Sequence, residues 1–418
     1  MNKVYNTEII SVGTELLLGH VTNTDARDIS ELLSQIGINV LYHTVVGDNP
    51  GRLEKCIAIA KQRADIIITT GGLGPTCDDL TKEMLAQSFG LSLVRNEEEF
   101  KALYDYISYR HKYTENNTKQ ALLPEGCTVF HNTCGTAPGC AFEKDGTIVI
   151  MLPGPPKECL TMMKVSVIPY LKKLSDEVIV SHAMRIFGIG ESAVDDIFAE
   201  EMNRMANPTL APYAKEADCL LQVTAKAASE EEAEAMCRPV MEHIREKLGE
   251  YVYGVDVDCI EESVLALLLQ NPMTLAFAEG FTGGEIAKRF TDLSASGPFF
   301  KAGFAASQPD SVSQLLGIDR DVLLTEHFVS AEIAAEMAEN VRTLLGADIG
   351  IGITGVGSPE DDPETEPGTV FLALATENET FVKELHLGAF RTRSFVRRMA
   401  GNYVYDMLRR YLTGLNVI

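Results

Sequence analysis

The sequence has no long apolar segment and no pair of cysteines at metal-binding spacing. No apolar run approaches the roughly 20 residues that a helix needs to cross a bilayer. The N-terminal stretch MNKVYNTEIISVGTELLLG lacks the apolar block of a secretory signal. Nine cysteines are scattered without a C-x-x-C pair, which argues against a zinc site and against a disulfide framework. We therefore expect a cytoplasmic protein with reduced thiols and no membrane partner.

Basic residues are few compared with acidic ones. The chain has 36 Lys and Arg against 60 Asp and Glu, for a formal net charge of −24. Such a surface repels phosphate backbones, so we expect no nucleic-acid partner. A small phosphorylated ligand would have to be held by local backbone dipoles, a few cationic side chains and a metal ion.

The first part of the 418-residue chain alternates β-rich runs with amphipathic runs. Strands are predicted over 7–12, 38–46, 64–70 and 147–152, and helices over 25–37, 53–63 and 80–89. This βαβα order predicts an α/β domain whose parallel sheet carries helices on both faces.

The remaining sequence predicts two further domains, which fits the length. Residues 178–253 have the pattern of a small α+β unit, with a strand over 220–227 and a Glu-rich helix over 229–248. The acidic stretch 255–262 is a plausible linker. A third, α/β region begins at 263, with strands over 274–278, 348–354 and 369–375.

The segment DIIITTGGLGPTCDDLTKE (65–83) carries the most chemical information. A buried strand leads into a turn with three glycines, where backbone N–H groups approach an anion closely and the following helix dipole favours it. Asp78 and Asp79 precede that helix. They either cap it or hold a divalent cation that bridges a pyrophosphate, and the segment alone leaves both interpretations open.

The spacing G-G-x-G-x-x-x-x-D-x-T in this segment resembles the molybdopterin-binding proteins of the MoaB and MogA type. The longer string resembles the N-terminal domain of the CinA (competence/damage-inducible protein) family. The same resemblance extends over VGTELLLG, VGDN, KQALLPEG, GTAPG, LPGPPKE, FGIGES and NPTLAPYAKE. It implies a MoaB-like fold, a homodimer, and metal-dependent hydrolysis of ADP-ribose to AMP and ribose 5-phosphate.

The resemblance also implies the domain limits: a MoaB-like pyrophosphatase domain over 1–172, a small α+β domain over 173–256, and an amidase-like α/β domain over 260–418. Asp78 and Asp79 become the expected ligands of a divalent metal of the Mg, Mn or Co class. The expected catalytic residues are Asp79, Asp78, Glu15 and Lys82. The expected substrate-binding residues are Gly71, Gly72, Gly74, Asn23, Thr136, Pro153, Gly154 and Lys157.

Several of these residues have an equally ordinary structural explanation. Lys82 is expected to compensate the negative charge of the phosphate. Glu15 either helps to hold the metal or a water molecule or is a solvated carboxylate. Asn23 and Thr136 bind ribose or base, or make local turn bonds. Lys157 is either an anion partner or a surface cation.

The rear part resembles the amidase that converts nicotinamide mononucleotide to nicotinate mononucleotide and ammonia. The likeness rests on TLAFAEGFTGGEIAKRF, GPFFKAGFAAS, GADIGIGITG and PGTVFLAL. The family motif A-E-S-C-T-G-G has its serine where this chain has Gly280, and its tyrosine and lysine fall at Ser307 and Val312. A glycine has no group to attack an amide, and a valine cannot transfer a proton. We expect an inactive amidase site, although its Thr-Gly-Gly turn at a helix start retains the form of a phosphate site.

Four functions therefore follow from the sequence. The first is an ADP-ribose pyrophosphatase with an inactive rear domain. The second is a pterin- or nucleotide-binding protein without hydrolysis. The third is a regulatory or structural protein in which both sites are relics, and the fourth is a bifunctional enzyme that also deamidates nicotinamide mononucleotide.

Overall fold

The computed structural model describes residues 5–110, 114–173, 178–214, 217–325, 328–358 and 364–418. The chain divides into two compact units, Met1–Ser181 with Thr224–Met236 and His182–Val223 with Cys237–Ile418. Within the described ranges, no helix has both the length and the apolar character to cross a membrane.

The first unit is built on a six-stranded sheet with the order β2-β1-β3-β8-β7-β6. Its strands are β1 (Asn6–Val12), β2 (Asn39–Val46), β3 (Ile66–Thr70), β6 (Thr128–Phe130), β7 (Gly139–Lys144) and β8 (Thr147–Leu152), with a separate β4 (Leu93–Arg95) and β5 (Leu122–Pro124) pair. Its helices are α1 (Thr14–Leu17), α2 (Thr24–Ser34), α3 (Pro50–Arg63), α4 (Thr81–Ser88), α5 (Glu97–Arg110), α6 (Pro156–Met162) and α7 (Ile168–Lys172), with a 3₁₀ turn at Glu115–Ala121 and a π turn at Met163–Val167.

Alternate residues of the central strands enter two separate cores. Ile10 and Ile67 pack in one hydrophobic cluster, whereas Ile9 and Ile68 pack in another. Because successive side chains of a strand point to opposite faces, helices cover both faces of this sheet. The α/β fold expected for the front domain is confirmed, with one difference: β7 and β6 extend the parallel strands in antiparallel fashion.

The parallel strands bring three connecting loops to one edge. Ser11 of β1 is level with Thr70 of β3, and Thr70 is level with Leu152 of β8. The segments that follow these strands therefore leave the sheet side by side. In open α/β sheets this carboxyl edge is where ligands bind.

The remaining elements form two more sheets. A four-stranded sheet has the order β10-β11-β9-β12 and a five-stranded sheet the order β14-β13-β15-β16-β17. The strands are β9 (Val178–Ile186), β10 (Thr209–Ala214), β11 (Cys219–Ala227), β12 (Val252–Val255), β13 (Leu275–Glu279), β14 (Phe300–Ala305), β15 (Ile349–Gly355), β16 (Thr369–Ala375) and β17 (Thr380–His386). The helices are α8 (Glu191–Arg204), α9 (Glu230–Leu248), α10 (Ile260–Gln270), α11 (Glu285–Thr291), α12 (Pro309–Leu316), α13 (Arg320–Thr325), α14 (Ala331–Leu345) and α15 (Arg393–Thr413), with 3₁₀ turns at Gly249–Tyr251 and Gly297–Phe299.

In the five-stranded sheet, β13 runs parallel to both β14 and β15, and β16 and β17 continue it in antiparallel fashion. Phe277 of β13 packs in the same cluster as Phe290 of α11 and Tyr405 of α15. That cluster positions the start of α11 beside the carboxyl end of β13, where the sequence places the lost amidase motif.

Candidate functional site at the carboxyl edge of the front sheet

The glycine turn after β3 requires glycine at two positions. Gly71 and Gly72 have φ values of 88° and 68°, in the left-handed region that strains other residues. A side chain on Gly71 would also meet the carbonyl group of Val12, and Gly72 lies against Thr81. Thr81 donates its hydroxyl to the carbonyl oxygen of Gly71 at 2.9 Å. The Gly71 N–H donates to the carbonyl oxygen of Leu152 at 3.1 Å. This N–H is therefore not available to a phosphate, as the sequence had suggested it would be.

Asp78 and Asp79 both approach the side chain of Thr76. The Thr76 hydroxyl lies 2.5 Å from Oδ1 of Asp78 and in hydrogen-bond contact with Oδ2 of Asp79. The Thr76 backbone N–H donates to the same Asp79 oxygen at 2.9 Å. The hydrogen bond from Thr76 lowers the pKa of Asp78, so its carboxylate is ionised at neutral pH. One hydroxyl has a single proton to share between the two carboxylates, which leaves negative charge concentrated at this turn.

The cation at this turn is Lys119. Its Nζ donates to the carbonyl oxygen of Thr76 at 3.0 Å and to that of Asp79, and it lies 3.4 Å from the Glu83 carboxylate. Lys119 therefore holds the Thr76–Asp79 turn from the side of the 3₁₀ segment Glu115–Ala121.

Lys82 does not have the phosphate-binding role expected from the sequence. It is 1% exposed, and its Nζ donates to the carbonyl oxygens of Lys119 at 2.9 Å and Gln120 at 2.8 Å. Burial lowers the pKa of Lys82 to about 8. The expected role fails because Lys82 lies on the buried side of α4, where its amine already donates to backbone carbonyl oxygens. Lys82 positions the segment that carries Lys119.

Glu15 lies at the neighbouring strand end. It is exposed in the first turn of α1, and its carboxylate lies over Gly13, where a Cβ would be 2.9 Å from the carboxyl carbon. The turn is fixed by Asp48, which accepts from the backbone N–H and the hydroxyl of Thr14 at 2.9 and 2.8 Å. Glu15 thus stays a candidate for contact with a bound water.

Asn23 and Thr136 both make protein contacts. Asn23 caps α2 by accepting from Ala26, and its amide donates to the Ser11 hydroxyl at 3.0 Å. Thr136 accepts from the Gln120 amide at 3.0 Å. Gln120 is 3% exposed, and its Oε1 is buried with no hydrogen-bond partner in the part of the chain that the structure describes. The local bonding that the sequence allowed is present at both positions, and the ribose or base role stays a prediction.

The Pro-Gly turn after β8 lies against the glycine turn after β3. A Cβ on Gly154 would be 3.2 Å from Cα of Gly71, whereas Pro153 is buried. Lys157 is exposed. Glu158, the next residue, accepts from the Asn132 amide at 2.7 Å and thereby ties this turn to the loop that contains Thr136.

The donor set fits a hard divalent cation only in part. Asp78 and Asp79 supply the oxygen ligands that magnesium and manganese accept. Among the described residues, no group of three or more His, Cys, Asp or Glu is placed to hold a metal. A cation here would therefore take its other ligands from water and from substrate phosphates, as magnesium commonly does.

Two positions of the segment that resembles the amidase site are packed against other parts of the protein. A Cβ on Gly280 would be 2.7 Å from the carbonyl oxygen of Ile353 and 3.5 Å from the Phe328 ring. Val312, where the family has its lysine, is fully buried in a hydrophobic cluster. Ser307 lies after β14, one residue past Ala306, whose N–H donates to the backbone carbonyl oxygen of Glu279.

Several N–H groups at the Thr-Gly-Gly turn of this domain are bound by a carboxylate of the protein. The Glu279 carboxylate, 1% exposed, accepts from the Thr282 hydroxyl at 2.6 Å and from the N–H groups of Gly284, Ile286 and Ala287 at 3.0, 3.2 and 2.9 Å. The phosphate expected from the sequence would have to displace a buried carboxylate.

Sequence reasoning did not assign roles to several residues at the front edge. Thr76, Lys119, Gln120, Asp48 and Glu158 make hydrogen bonds at this edge. All five lie in segments that carried the resemblance. The contacts of Thr76 with Asp78 and Asp79 are local, whereas those of the other four join residues far apart in the chain, so only the fold reveals them.

Three family models match the chain. They are described as a probable molybdopterin binding domain over residues 8–173, a damage-inducible protein CinA KH domain over 181–254, and a CinA C-terminal domain over 257–412.

Full-length relatives are also similar. A "putative competence-damage inducible protein" of Caldanaerobacter subterraneus subsp. tengcongensis is 44% identical over 412 residues, 98% of this chain and 99% of the relative. A "CinA-like protein" of Kosmotoga olearia is 44% identical over 410 residues, again 98% and 99%. A solved structure, described as the protein CinA with unknown function from Thermoplasma acidophilum, is 32% identical with a TM-score of 0.38, over 41% of this chain and 99% of that one.

Proposed function

The chain belongs to the CinA family, and from this membership we propose that its first unit is a metal-dependent ADP-ribose pyrophosphatase. The observation that carries the proposal is the approach of Asp78 and Asp79 to one hydroxyl, that of Thr76, at the carboxyl edge of the front sheet. Two carboxylates beside a glycine turn suit a pyrophosphate that arrives with a divalent cation.

The local charge explains why a cation is needed. Asp78, Asp79 and Glu83 lie at this turn, and the amine of Lys119 contacts the backbone carbonyl of Asp79 and the carboxylate of Glu83. A pyrophosphate would be repelled by such a turn without additional positive charge. Asp78 and Asp79 would hold a cation of the Mg, Mn or Co class, which when bound neutralises phosphate oxygens and makes the phosphorus more electrophilic.

Residues of the chain position the metal-binding turn, the attacking water and the substrate. Water attacks one phosphorus, the bridging P–O bond breaks, and AMP and ribose 5-phosphate leave with one water's atoms divided between them. Lys119 fixes the Thr76–Asp79 turn, and the glycine at 74 leaves room against Asp79. Glu15 at the adjacent strand end is placed to orient the attacking water or take its proton. Thr136 and Asn23 are the proposed contacts for the ribose or base.

The rear domain carries out no amidase reaction in this proposal. Gly280 and Val312 supply neither a nucleophile nor a proton acceptor, and both are packed against other parts of the domain. We further propose that the protein acts in the cytoplasm as a homodimer.

A second function is favoured by one observation, the family model of a probable molybdopterin binding domain over residues 8–173. In that case the same glycine turn would hold a pterin or nucleotide without cleaving it.

Product analysis separates the two functions. Purified protein is incubated with ADP-ribose and Mg²⁺, Mn²⁺ or Co²⁺, and the products are separated by ion-exchange chromatography. AMP and ribose 5-phosphate in equal amounts support the pyrophosphatase. Tight pterin binding without any turnover, in protein shown to be folded, would favour the binding function instead.

A further inference from the structure

Two of the nine cysteines, Cys127 and Cys140, lie together in the first unit. Cys140 stands in β7, level with Val129 of β6, and Cys127 is two residues before Val129. Because alternate residues of an extended segment share a face, the two cysteines are diagonal neighbours on the same side of the sheet. Both pack in the hydrophobic cluster that contains Ile10 and Ile67, Cys140 as a buried member and Cys127 at its margin.

The two thiols also interact directly. The Cys140 thiol donates a hydrogen bond to the Cys127 sulfur, which lowers the pKa of Cys127 and raises that of Cys140. Cys140 is fully buried, whereas Cys127 is partly exposed. An oxidant therefore reaches Cys127 first, and Cys127 is also the thiol that ionises more readily. Redox-sensing cysteines have this arrangement, in which an accessible thiol of low pKa lies beside a second thiol that resolves it.

The buried amine of Lys82 acts on the second thiol. The hydrogen bond to Cys127 and burial raise the pKa of Cys140, and the charge of Lys82 opposes them. Oxidation of Cys127 removes its thiolate charge and with it one of the causes that keep Cys140 protonated. Lys82 then favours the thiolate of Cys140, which is the form that attacks an oxidised sulfur.

The chain around Cys127 is built to supply the movement that a covalent bond requires. A disulfide brings its sulfurs to about 2.05 Å, closer than two hydrogen-bonded thiols. Cys140 is fixed in β7, between β6 and β8. Cys127 lies in the turn between β5 and β6, next to Gly126, around whose Cβ position nothing lies within 4 Å. The turn, and not the sheet, takes up the shift.

We propose that Cys127 and Cys140 form a reversible disulfide when the protein meets hydrogen peroxide, with Cys127 as the reacting thiol and Cys140 as the resolving thiol. The Cys127 sulfur attacks a peroxide oxygen, the O–O bond breaks, and the departing hydroxide takes the Cys127 proton as water, which leaves a sulfenic acid. The Cys140 sulfur then attacks the Cys127 sulfur, the S–O bond breaks, and a second water leaves with the Cys140 proton. Two thiols are oxidised and one peroxide is reduced to two waters.

The disulfide would act on loops that border the candidate site. It closes the loop 127–140, which contains Thr136. The turn that carries Cys127 follows β5, and β5 directly follows the Glu115–Ala121 segment, whose Lys119 binds the backbone of Asp79. The thiol chemistry itself does not depend on ADP-ribose hydrolysis, so it is tested separately.

The test treats the full chain with equimolar hydrogen peroxide and caps the remaining thiols with iodoacetamide. Digestion with trypsin and chymotrypsin, followed by mass spectrometry, then maps the cysteines. Phe130 lies between Cys127 and Cys140, so this digestion separates the two cysteines unless they are linked. The parent is expected to give a linked pair of peptides that contains Cys127 and Cys140, and dithiothreitol is expected to abolish it.

Cys134→Ser is the matched control, because Cys134 is also partly exposed and shares a digestion peptide with Cys140. This variant is expected to keep the linked pair. Cys140→Ala is expected to lose it and to accumulate a Cys127 sulfenic acid, which dimedone traps. Circular dichroism checks the fold of Cys140→Ala, and Cys127→Ser, which should also lose the linked pair, replaces it if that variant unfolds.

Absence of the linked pair from the oxidised parent would overturn the proposal. So would a linked pair that persists in Cys140→Ala, because Cys134 would then be the partner of Cys127.

Discussion

Gly154 lies so close to Gly71 that a Cβ on Gly154 would be 3.2 Å from the Cα of Gly71. Two turns that are far apart in the chain thus meet backbone to backbone. A side chain at Gly154 would require the neighbouring backbone to shift by a few tenths of an ångström. Gly71 is constrained separately, by its φ of 88° and by the carbonyl of Val12.

The first prediction concerns Gly71→Ala. The new methyl group would collide with the carbonyl of Val12 in addition to straining a φ of 88°. Gly90→Ala is the matched control, because Gly90 also has a positive φ, 62°, but nothing lies within 4 Å of its Cβ position. In urea unfolding, Gly71→Ala is expected to cost about 2 kcal/mol more than Gly90→Ala. Equal costs would show that the Val12 contact is easily relaxed.

The second prediction uses the buried amine of Lys82. Its pKa is lowered to about 8 by burial, while the unfolded chain keeps the ordinary value near 10.5. Between these pH values the unfolded state binds more protons, so this group makes stability rise with pH. Below pH 8 the amine is charged in both states and contributes no pH dependence.

Lys82→Met removes that contribution. The free energy of unfolding of the parent, relative to Lys82→Met, is expected to rise by on the order of 1–2 kcal/mol from about pH 7.5 to about pH 9.5. Urea titrations of both proteins at the two pH values measure the change. Parallel pH dependence in the two proteins would mean that Lys82 titrates normally.

The third prediction concerns Glu279, whose carboxylate receives four hydrogen bonds at the start of α11. A glutamine offers one carbonyl oxygen and an N–H₂ group that conflicts with the donors. Glu279→Gln is expected to lower the free energy of unfolding by about 2–3 kcal/mol, whereas the exposed Glu377→Gln stays within about 0.5 kcal/mol. A small effect at Glu279 would argue that the turn readily exchanges the carboxylate for water or a ligand.

The fourth prediction tests the rear site directly. The double variant Gly280→Ser, Val312→Lys returns two of the residues that the amidases have. It is expected to release no ammonia from nicotinamide mononucleotide, since the serine would collide with the Ile353 carbonyl and the lysine would enter a hydrophobic cluster. Ammonia is measured with a coupled glutamate dehydrogenase assay. Turnover by the double variant would show that the site is sterically intact.

Much of the fold follows from sequence periodicity. The strands over 147–152 and 369–375 lie where the alternating and buried patterns predict them, because full burial of a central strand leaves little freedom in its composition. The helix predicted over 25–37 ends at Ser34, ahead of Gly37. The antiparallel strands β6 and β7 were not predicted from the sequence. In β6, which has only three residues, the segment is too short to show an alternating pattern.

The site was predictable only in its local part. The Gly-Gly turn and the Asp78–Asp79 pair stand next to one another in sequence and needed no tertiary information. The place of Lys82 could not be inferred in this way. Its neighbours in space are Lys119 and Gln120, which are distant in the chain, and an amphipathic pattern does not tell which lysine of a helix turns inward. For the same reason, the sequence could not show that Lys119 is the cation beside the two aspartates.

The most direct test of the central claim is a metal titration of ADP-ribose hydrolysis with the parent, Asp79→Asn and the exposed control Asp105→Asn. The Asp79→Asn side chain keeps the shape that accepts from Thr76 but loses the charge that holds a cation. Metal-dependent release of AMP is expected from the parent and the control, with a loss of about 100-fold or more in Asp79→Asn. Unchanged turnover in Asp79→Asn, or equal turnover with and without a chelator, would rule out a metal-dependent pyrophosphatase that uses Asp79.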